Sequence, residues 1–265
     1  MAEEAPPSPM TLLNWISDRS VALLIEPSEG GLYIGSAVAL EVAGHYFLAT
    51  AAHNLKGVSR TGQVRALPGG RRLERPLRLV DWNSREMGPA GEVDVAWIEV
   101  DVVSVGASSL RAIPVRSVRC HAEHLAETAF FVQGYPEGAV DRDDVAQAMP
   151  LLTSIGQATF SLPASASSLA YQDGIDLLVE WPASDLGQAE LPPPRGVSGG
   201  GVWILPRFLD NPRWSCADLR LAGIARAWRR GSRQLVATRI EHWLDLLGAD
   251  KPHTKSEIAA ALSSS

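Results

Sequence analysis

The chain predicts an all-β fold with a single well-defined helix near its C-terminal end. Short apolar runs rich in Val, Ile, Leu, Phe and Trp recur from Ser20 to Ala237, broken by turn residues drawn from 23 glycines and 18 prolines. Sustained helical periodicity is confined to Ile240, Trp243, Leu244 and Leu247. The regular alternation of strand and helix that builds a parallel sheet is absent.

Taken in order, residues 1–9 read as a disordered lead. Met10 to Ser17 reads as a short helix with Leu12, Leu13 and Ile16 on one side. Ser20 to Glu26 is the first strand. Gly31 to Val42 and His45 to Thr50 are β-rich and joined by Ala43-Gly44, which predicts a hairpin. Ala51-Ala52-His53-Asn54 is the turn that follows. Arg60, Arg65, Arg71, Arg72, Arg75 and Arg78 face one acid, Glu74, around a hairpin tip at Pro68-Gly69-Gly70. A solvated hairpin is the plain account, and a docking patch for an acidic partner the sharper one. Leu77 to Asp81 and Val93 to Val100 are further strands. Ser104 to Glu123 has no clear period and reads as a linker between two halves.

The second half predicts strands at Thr128 to Gln133, Leu152 to Phe160, Ile175 to Trp181, Gly201 to Leu205, Leu219 to Ala227 and Gln234 to Ala237. Thr238-Arg239-Ile240-Glu241 has the spacing of a capping box, in which a threonine hydroxyl and a glutamate satisfy backbone donors at a helix start. Gly248 is the expected stop, and Lys251 to Ser265 the expected polar tail. His242 within this helix reads as a surface or packing residue.

Composition bounds the function. A chain of 265 residues, 46% hydrophobic and 20% charged, has enough apolar material for a folded core. The net charge of −6 argues against nucleic acid or an anionic membrane as the main partner. No apolar run is long enough to span a bilayer. Cys120 and Cys216 are the two cysteines, and so few suit a reducing compartment. The acidic, proline-rich start Met1-Ala2-Glu3-Glu4-Ala5-Pro6-Pro7 lacks the basic and apolar parts of a signal peptide. Together these features predict a cytoplasmic protein. Cys120-His121 followed by His124 invites a zinc reading, but a fourth ligand at matching spacing is missing, so ordinary linker residues are expected and no metal.

The chemistry concentrates in Pro192-Pro193-Pro194-Arg195-Gly196-Val197-Ser198-Gly199-Gly200-Gly201-Val202-Trp203. A serine framed by glycines suits a nucleophile that needs an open approach and nearby amide donors. Upstream, His53 ends Phe47-Leu48-Ala49-Thr50-Ala51-Ala52-His53, and Asp94 lies in Glu92-Val93-Asp94-Val95-Ala96-Trp97. The order His, Asp, Ser and the contexts Thr-Ala-Ala-His, Asp-Val-Ala and Gly-Val-Ser-Gly-Gly resemble those of trypsin-like, chymotrypsin-fold serine peptidases. Phe130-Phe131-Val132-Gln133-Gly134-Tyr135-Pro136 is similar to the opening of the second barrel in bacterial members. The resemblance spans roughly residues 20 to 248.

That resemblance implies two six-stranded antiparallel β-barrels with a C-terminal α-helix. The organisation expected is a lead and short helix at 1–19, a first barrel at 20–110 carrying His53 and Asp94, an inter-barrel linker at 111–127, a second barrel with its helix at 128–248 carrying Ser198, and a tail at 249–265. It implies an enzyme, a serine endopeptidase that hydrolyses a protein or peptide substrate through an acyl-enzyme without any cofactor. A dedicated protein partner is one form such a substrate takes. Ser198 would be the nucleophile, His53 the base and Asp94 its orienting acid. The backbone N–H groups of Gly196 and Ser198 would form the oxyanion hole. Val197 stands where digestive relatives carry an activating aspartate, so N-terminal trimming is not the expected switch. The chain should be active as made, or be held back by a misaligned Gly196-Val197 peptide until a substrate or partner orders it.

Pocket residues implied in the same way are Pro192, Arg195, Arg226 and Trp228. Pro192 corresponds to the position of the pocket aspartate in trypsin, which argues against a strict Arg/Lys preference. Arg226 would favour an acidic side chain and Trp228 would narrow the pocket, whereas Asp185 and Glu190 would pull the other way. Two further readings stay open: a peptidase-fold binding module with little or no activity, and a serine esterase. The α/β-hydrolase elbow needs its acid and histidine after the serine, and only His242 and His253 follow Ser198.

Overall fold

A strand that is apolar on both faces must lie between two interiors, and several strands here do so. The computed structural model describes residues 7–27, 31–59, 63–69, 77–87, 93–120, 129–137, 155–160, 162, 171–172, 174–181, 194–206, 214–229 and 232–263. The first sheet runs in the order β4 (Val64–Pro68), β1 (Ser20–Ile25), β2 (Tyr33–Val42), β3 (His45–Thr50), β6 (Val93–Val100), β5 (Leu79–Met87). The two-residue β7 (Ile113–Pro114) adds to β2 in parallel. The second sheet runs β10 (Asp176–Glu180), β13 (Gln234–Arg239), β12 (Arg220–Arg229), β11 (Gly201–Ile204), β8 (Ala129–Gly134), β9 (Ile155–Phe160). Each is a six-strand antiparallel path curled into a barrel, as expected.

On β6, Ala96, Ile98 and Val100 point into the first barrel, while Val93, Val95 and Trp97 point into an apolar layer shared by both halves. On β8, Phe130 and Val132 face the second barrel and Phe131 the shared layer. The period-2 alternation of side chains therefore buries all but Glu99 on β6 and Ala129 on β8, which is why these strands read as near-continuous apolar runs. The shared layer also takes Trp203, Trp243 and Leu247. The β2–β3 hairpin closes through Ala43 and Gly44 with φ of 52° and 76°, the paired positive values of a tight turn whose twist matches the strands.

Helices are few. α1 spans Pro9–Ser17, and its start is capped by the Ser8 hydroxyl, which accepts from the Thr11 N–H. α2 (Val102–Gly106) follows β6 and is capped by Asp101. The stretch expected as a linker thus also contributes a helix and β7. Among the described residues no helix is long and apolar enough to cross a membrane.

The C-terminal region departs from expectation in three ways. Thr238 does not cap a helix: it is the penultimate residue of β13, paired with both Asp176 and Ile224. The helix α3 starts only at Ile240 and has no side-chain cap, because the ladder on both sides of β13 claims the backbone first. Gly248 does not stop that helix, which continues to Asp250. The glycine is buried where α3 meets the next helix, and a Cβ there would sit 3.5 Å from Ile258. Finally, the polar tail is docked: α4 (Lys255–Ser263) buries Ile258 and Ala261 in the shared layer. Of the Cys120-His121…His124 motif, Cys120 is buried in the shared layer, while His121 and His124 lie outside the described residues, as does much of the arginine-rich stretch. Of its arginines, Arg65 and Arg78 are described: Arg65 pairs with Glu26 at 2.6 Å, and Arg78 is exposed.

Candidate active site

Strand pairing brings the first two candidate residues together. Thr50, at the end of β3, pairs with Ala96 on β6, so the turn after β3 lies beside the start of β6. That turn, Ala52–Leu55, is a short 3-10 segment carrying His53. Asp94 is the second residue of β6 and is 8% exposed. Its carboxylate accepts the His53 backbone N–H at 2.9 Å on one oxygen and meets Nδ1 at 2.6 Å on the other. A carboxylate only accepts, so Nδ1 carries the proton, and in the neutral ring Nε2 is left with its lone pair. The imidazole itself is 40% exposed, hence reachable from solvent.

Ser198 comes from the loop before β11. Gly196 and Gly199 both have positive φ, 91° and 89°. Neither site tolerates a side chain. A Cβ on Gly196 would sit 2.6 Å from the Tyr135 carbonyl, and one on Gly199 would overlap the Ser36 carbonyl and the Thr50 hydroxyl. The loop's carbonyls are tied back. Pro194 O accepts from Val197 N–H at 3.0 Å, Arg195 O from Glu137 N–H at 2.6 Å, and Val197 O from Gly200 N–H at 2.7 Å. Ser198 O accepts from Ser36 N–H and from Asn54 Nδ2, both at 2.8 Å. Among the described residues the N–H groups of Gly196 and Ser198 donate to no acceptor. Carbonyl and N–H point in opposite directions across a planar trans peptide, so holding Arg195 O and Val197 O also sets the direction of those two amides.

Ser198 is thus held one residue away from His53, through Asn54. Its hydroxyl donates a long hydrogen bond, 3.4 Å, to the Arg226 carbonyl, and no hydrogen bond joins it to His53. Val197 is fully buried in the second barrel's core.

The remaining pocket candidates separate. Pro192 lies outside the described residues. Arg195 is exposed and 3.8 Å from Glu137, a contact worth little in water. Arg226 turns inward, and its guanidinium grips Asp176 with two hydrogen bonds of 3.0 and 2.7 Å. That carboxylate is fully buried, so the Arg226 charge is already compensated inside the protein. Trp228 packs on the second barrel's core. Sequence reasoning assigned no role to Ser36, Thr50 or Asn54. Thr50 and Asn54 do stand four apart around the His53 turn and are joined by a 3.0 Å hydrogen bond, but no motif marks Ser36.

Two antiparallel barrels with a shared apolar seam and a C-terminal helix define the chymotrypsin-like double-barrel fold. HL collagenase has this architecture: its solved structure superposes with a TM-score of 0.58, covering 89% of this chain and 94% of its own, at 14% sequence identity. No protein-family model and no curated protein sequence matches the chain.

Proposed function

We propose that the protein is a serine endopeptidase that cleaves a protein or peptide substrate through an acyl-enzyme. The observation that carries this reading is the His53–Asp94 pair, joined at 2.6 and 2.9 Å, beside a glycine-framed serine. The neighbouring collagenase, a protein named for cleaving protein, points the same way. On its two cysteines we place it inside the cell, and on its net charge of −6 we expect protein rather than nucleic acid or membrane as its partner.

In this reading Ser198 Oγ attacks the scissile carbonyl and passes its proton to His53 Nε2. For that step the hydroxyl turns from the Arg226 carbonyl toward the imidazole, a rotation about one side-chain bond. Asp94 holds the tautomer and stabilises the imidazolium that forms. The carbonyl oxygen becomes an oxyanion in front of the Gly196 and Ser198 N–H groups, whose lack of a protein acceptor leaves them available to it. His53 then returns the proton to the departing amine, and water repeats the sequence on the ester. The Pro192–Arg195 approach and the Arg226–Trp228 strand would line the pocket for the side chain before the cut. With Arg226 paired to Asp176, the pocket offers that side chain no free arginine charge from this position.

A second reading rests on the same serine. A hydroxyl bonded to Arg226 O at 3.4 Å rather than to histidine is also what a binding module without turnover would show. Full-length protein treated with a fluorophosphonate should gain one adduct on Ser198, and Ser198→Ala should remove both labelling and casein cleavage while keeping the fold. An unlabelled wild type would favour the binding module. Turnover of short-chain esters without peptide cleavage would favour an esterase.

A further inference from the structure

We propose that Ser36, on the first barrel, is a positioning residue that latches the nucleophile loop of the second barrel into the conformation able to receive an oxyanion. The inference deepens the peptidase reading and rests on it for its kinetic consequences.

Ser36 is fully buried on β2, and its polar groups all point across the seam or toward the His53 turn. Its hydroxyl donates to Gly196 O at 2.8 Å and accepts Tyr135 N–H at 2.9 Å. Its own N–H donates to Ser198 O at 2.8 Å. Its carbonyl accepts the Thr50 hydroxyl at 2.7 Å. One residue therefore holds the peptide that follows each of the two amides that would stabilise the oxyanion, Gly196–Val197 and Ser198–Gly199. A serine hydroxyl has a single proton to donate, and here it goes to Gly196 O.

The latch also sets a spacing. Tyr135 begins the segment that ends at Glu137, and Glu137 N–H holds Arg195 O at 2.6 Å. By bridging Tyr135 and Gly196, the Ser36 hydroxyl fixes that segment against the loop. Loop residue Gly196 has no Cβ to resist rotation of its peptides, so the restraint has to come from outside. Val197 supplies packing in an apolar core and no charge. A buried hydroxyl with both neighbours satisfied is a stiff joint, and removing it strands a buried N–H and a half-buried carbonyl.

Ser36→Ala should lower kcat on a peptide substrate about ten- to a hundredfold, below the roughly 10²–10³ cost of deleting one oxyanion donor. KM should barely move. Affinity for a peptide aldehyde, which forms an oxyanion on the enzyme, should fall in step with kcat/KM, while affinity for the matching peptide amide stays constant. An aldehyde-to-amide affinity ratio equal to that of wild type would overturn the latch. If the alanine variant does not fold, Ser36→Cys keeps a similar reach with a much weaker donor and is read by the same ratio. Hydrogen exchange over residues 194–200 reads the latch even without turnover: faster exchange in either variant supports it, and unchanged exchange refutes it. A wild type that neither labels nor cleaves would instead refute the peptidase reading.

Discussion

Asp94 shows how much a single carboxylate is asked to do. It accepts both the backbone and the ring nitrogen of His53. Asp94→Asn can present an N–H where the ring needs an acceptor, which favours the wrong tautomer, and turnover should fall by about 10⁴. Steady-state kinetics on a peptide substrate checks this. A rate within a few-fold of wild type would remove Asp94 from the mechanism. The other acids nearby are engaged elsewhere: Asp81 with Lys251 and Asp101 with the start of α2. At this scale the sequence was informative where chemistry constrains residue type. The pairing of His53 with Asp94 followed from motif context alone. Ser36 was not legible because its partner Gly196 lies 160 residues away and serines carry no mark of their partners.

Among the elements, the one that sequence reading placed least well is the C-terminal segment. Lys251, just past α3, reaches back to the first barrel and binds Glu99 at 2.7 Å and Asp81 at 3.0 Å. Its ammonium also lies 4.7 Å from the Trp97 ring centre. Asp250 beside it accepts from Trp97 Nε1 and Asn83 Nδ2. Lys251→Met should therefore cost about 1–3 kcal/mol, read as a Tm drop of about 2–4 °C per kcal/mol in a chain of this size. An unchanged Tm would show the tie to be idle. Burial alone would raise the Glu99 carboxyl, but hydrogen bonds from Lys251 and His45 outweigh it and hold it below the ordinary glutamate range. Its contribution is thus complete above the unfolded value of about 4.3 and is lost as pH falls through the lower folded value. Denaturant titrations below about pH 4 should show stability falling less steeply in Glu99→Gln than in wild type. Equal slopes would reject the assignment. The tail was unreadable because Ile258 and Ala261 are too few and too scattered to announce a buried face. What buries them is the shared layer, where α4 meets α3 and the distant Val115–Ser117 segment.

For the whole molecule, the shared apolar layer decides how the halves behave. Trp243 of α3 donates from its indole to the Ala96 carbonyl on β6 at 2.7 Å, two residues beyond Asp94. Trp203 of the second barrel and Trp97 of the first lie in the same layer. Neither barrel can expose its outer face without opening this layer, so unfolding should be one event. Tryptophan fluorescence, far-UV circular dichroism and hydrogen exchange of β6 and β12 should give coincident denaturation midpoints. Two separated transitions would show the barrels to be independent. The double-barrel class was legible because strands apolar on both faces and three motifs in order pointed to it. The seam was not, since each strand's second buried face looks the same in sequence whether it meets a partner barrel or a helix.

The α3–β6 contact also bears on the birth of the molecule. A ribosome delivers residues in order, so His53 and Asp94 leave the exit tunnel well before Trp243 and Lys251, which brace the strand that carries Asp94. A nascent chain therefore holds His53 and Asp94 on an unbuttressed barrel, with the Ala96 carbonyl still waiting for its indole. On the peptidase reading, the pair would reach its braced geometry only once residues 243–251 have emerged, later than Ser198 itself.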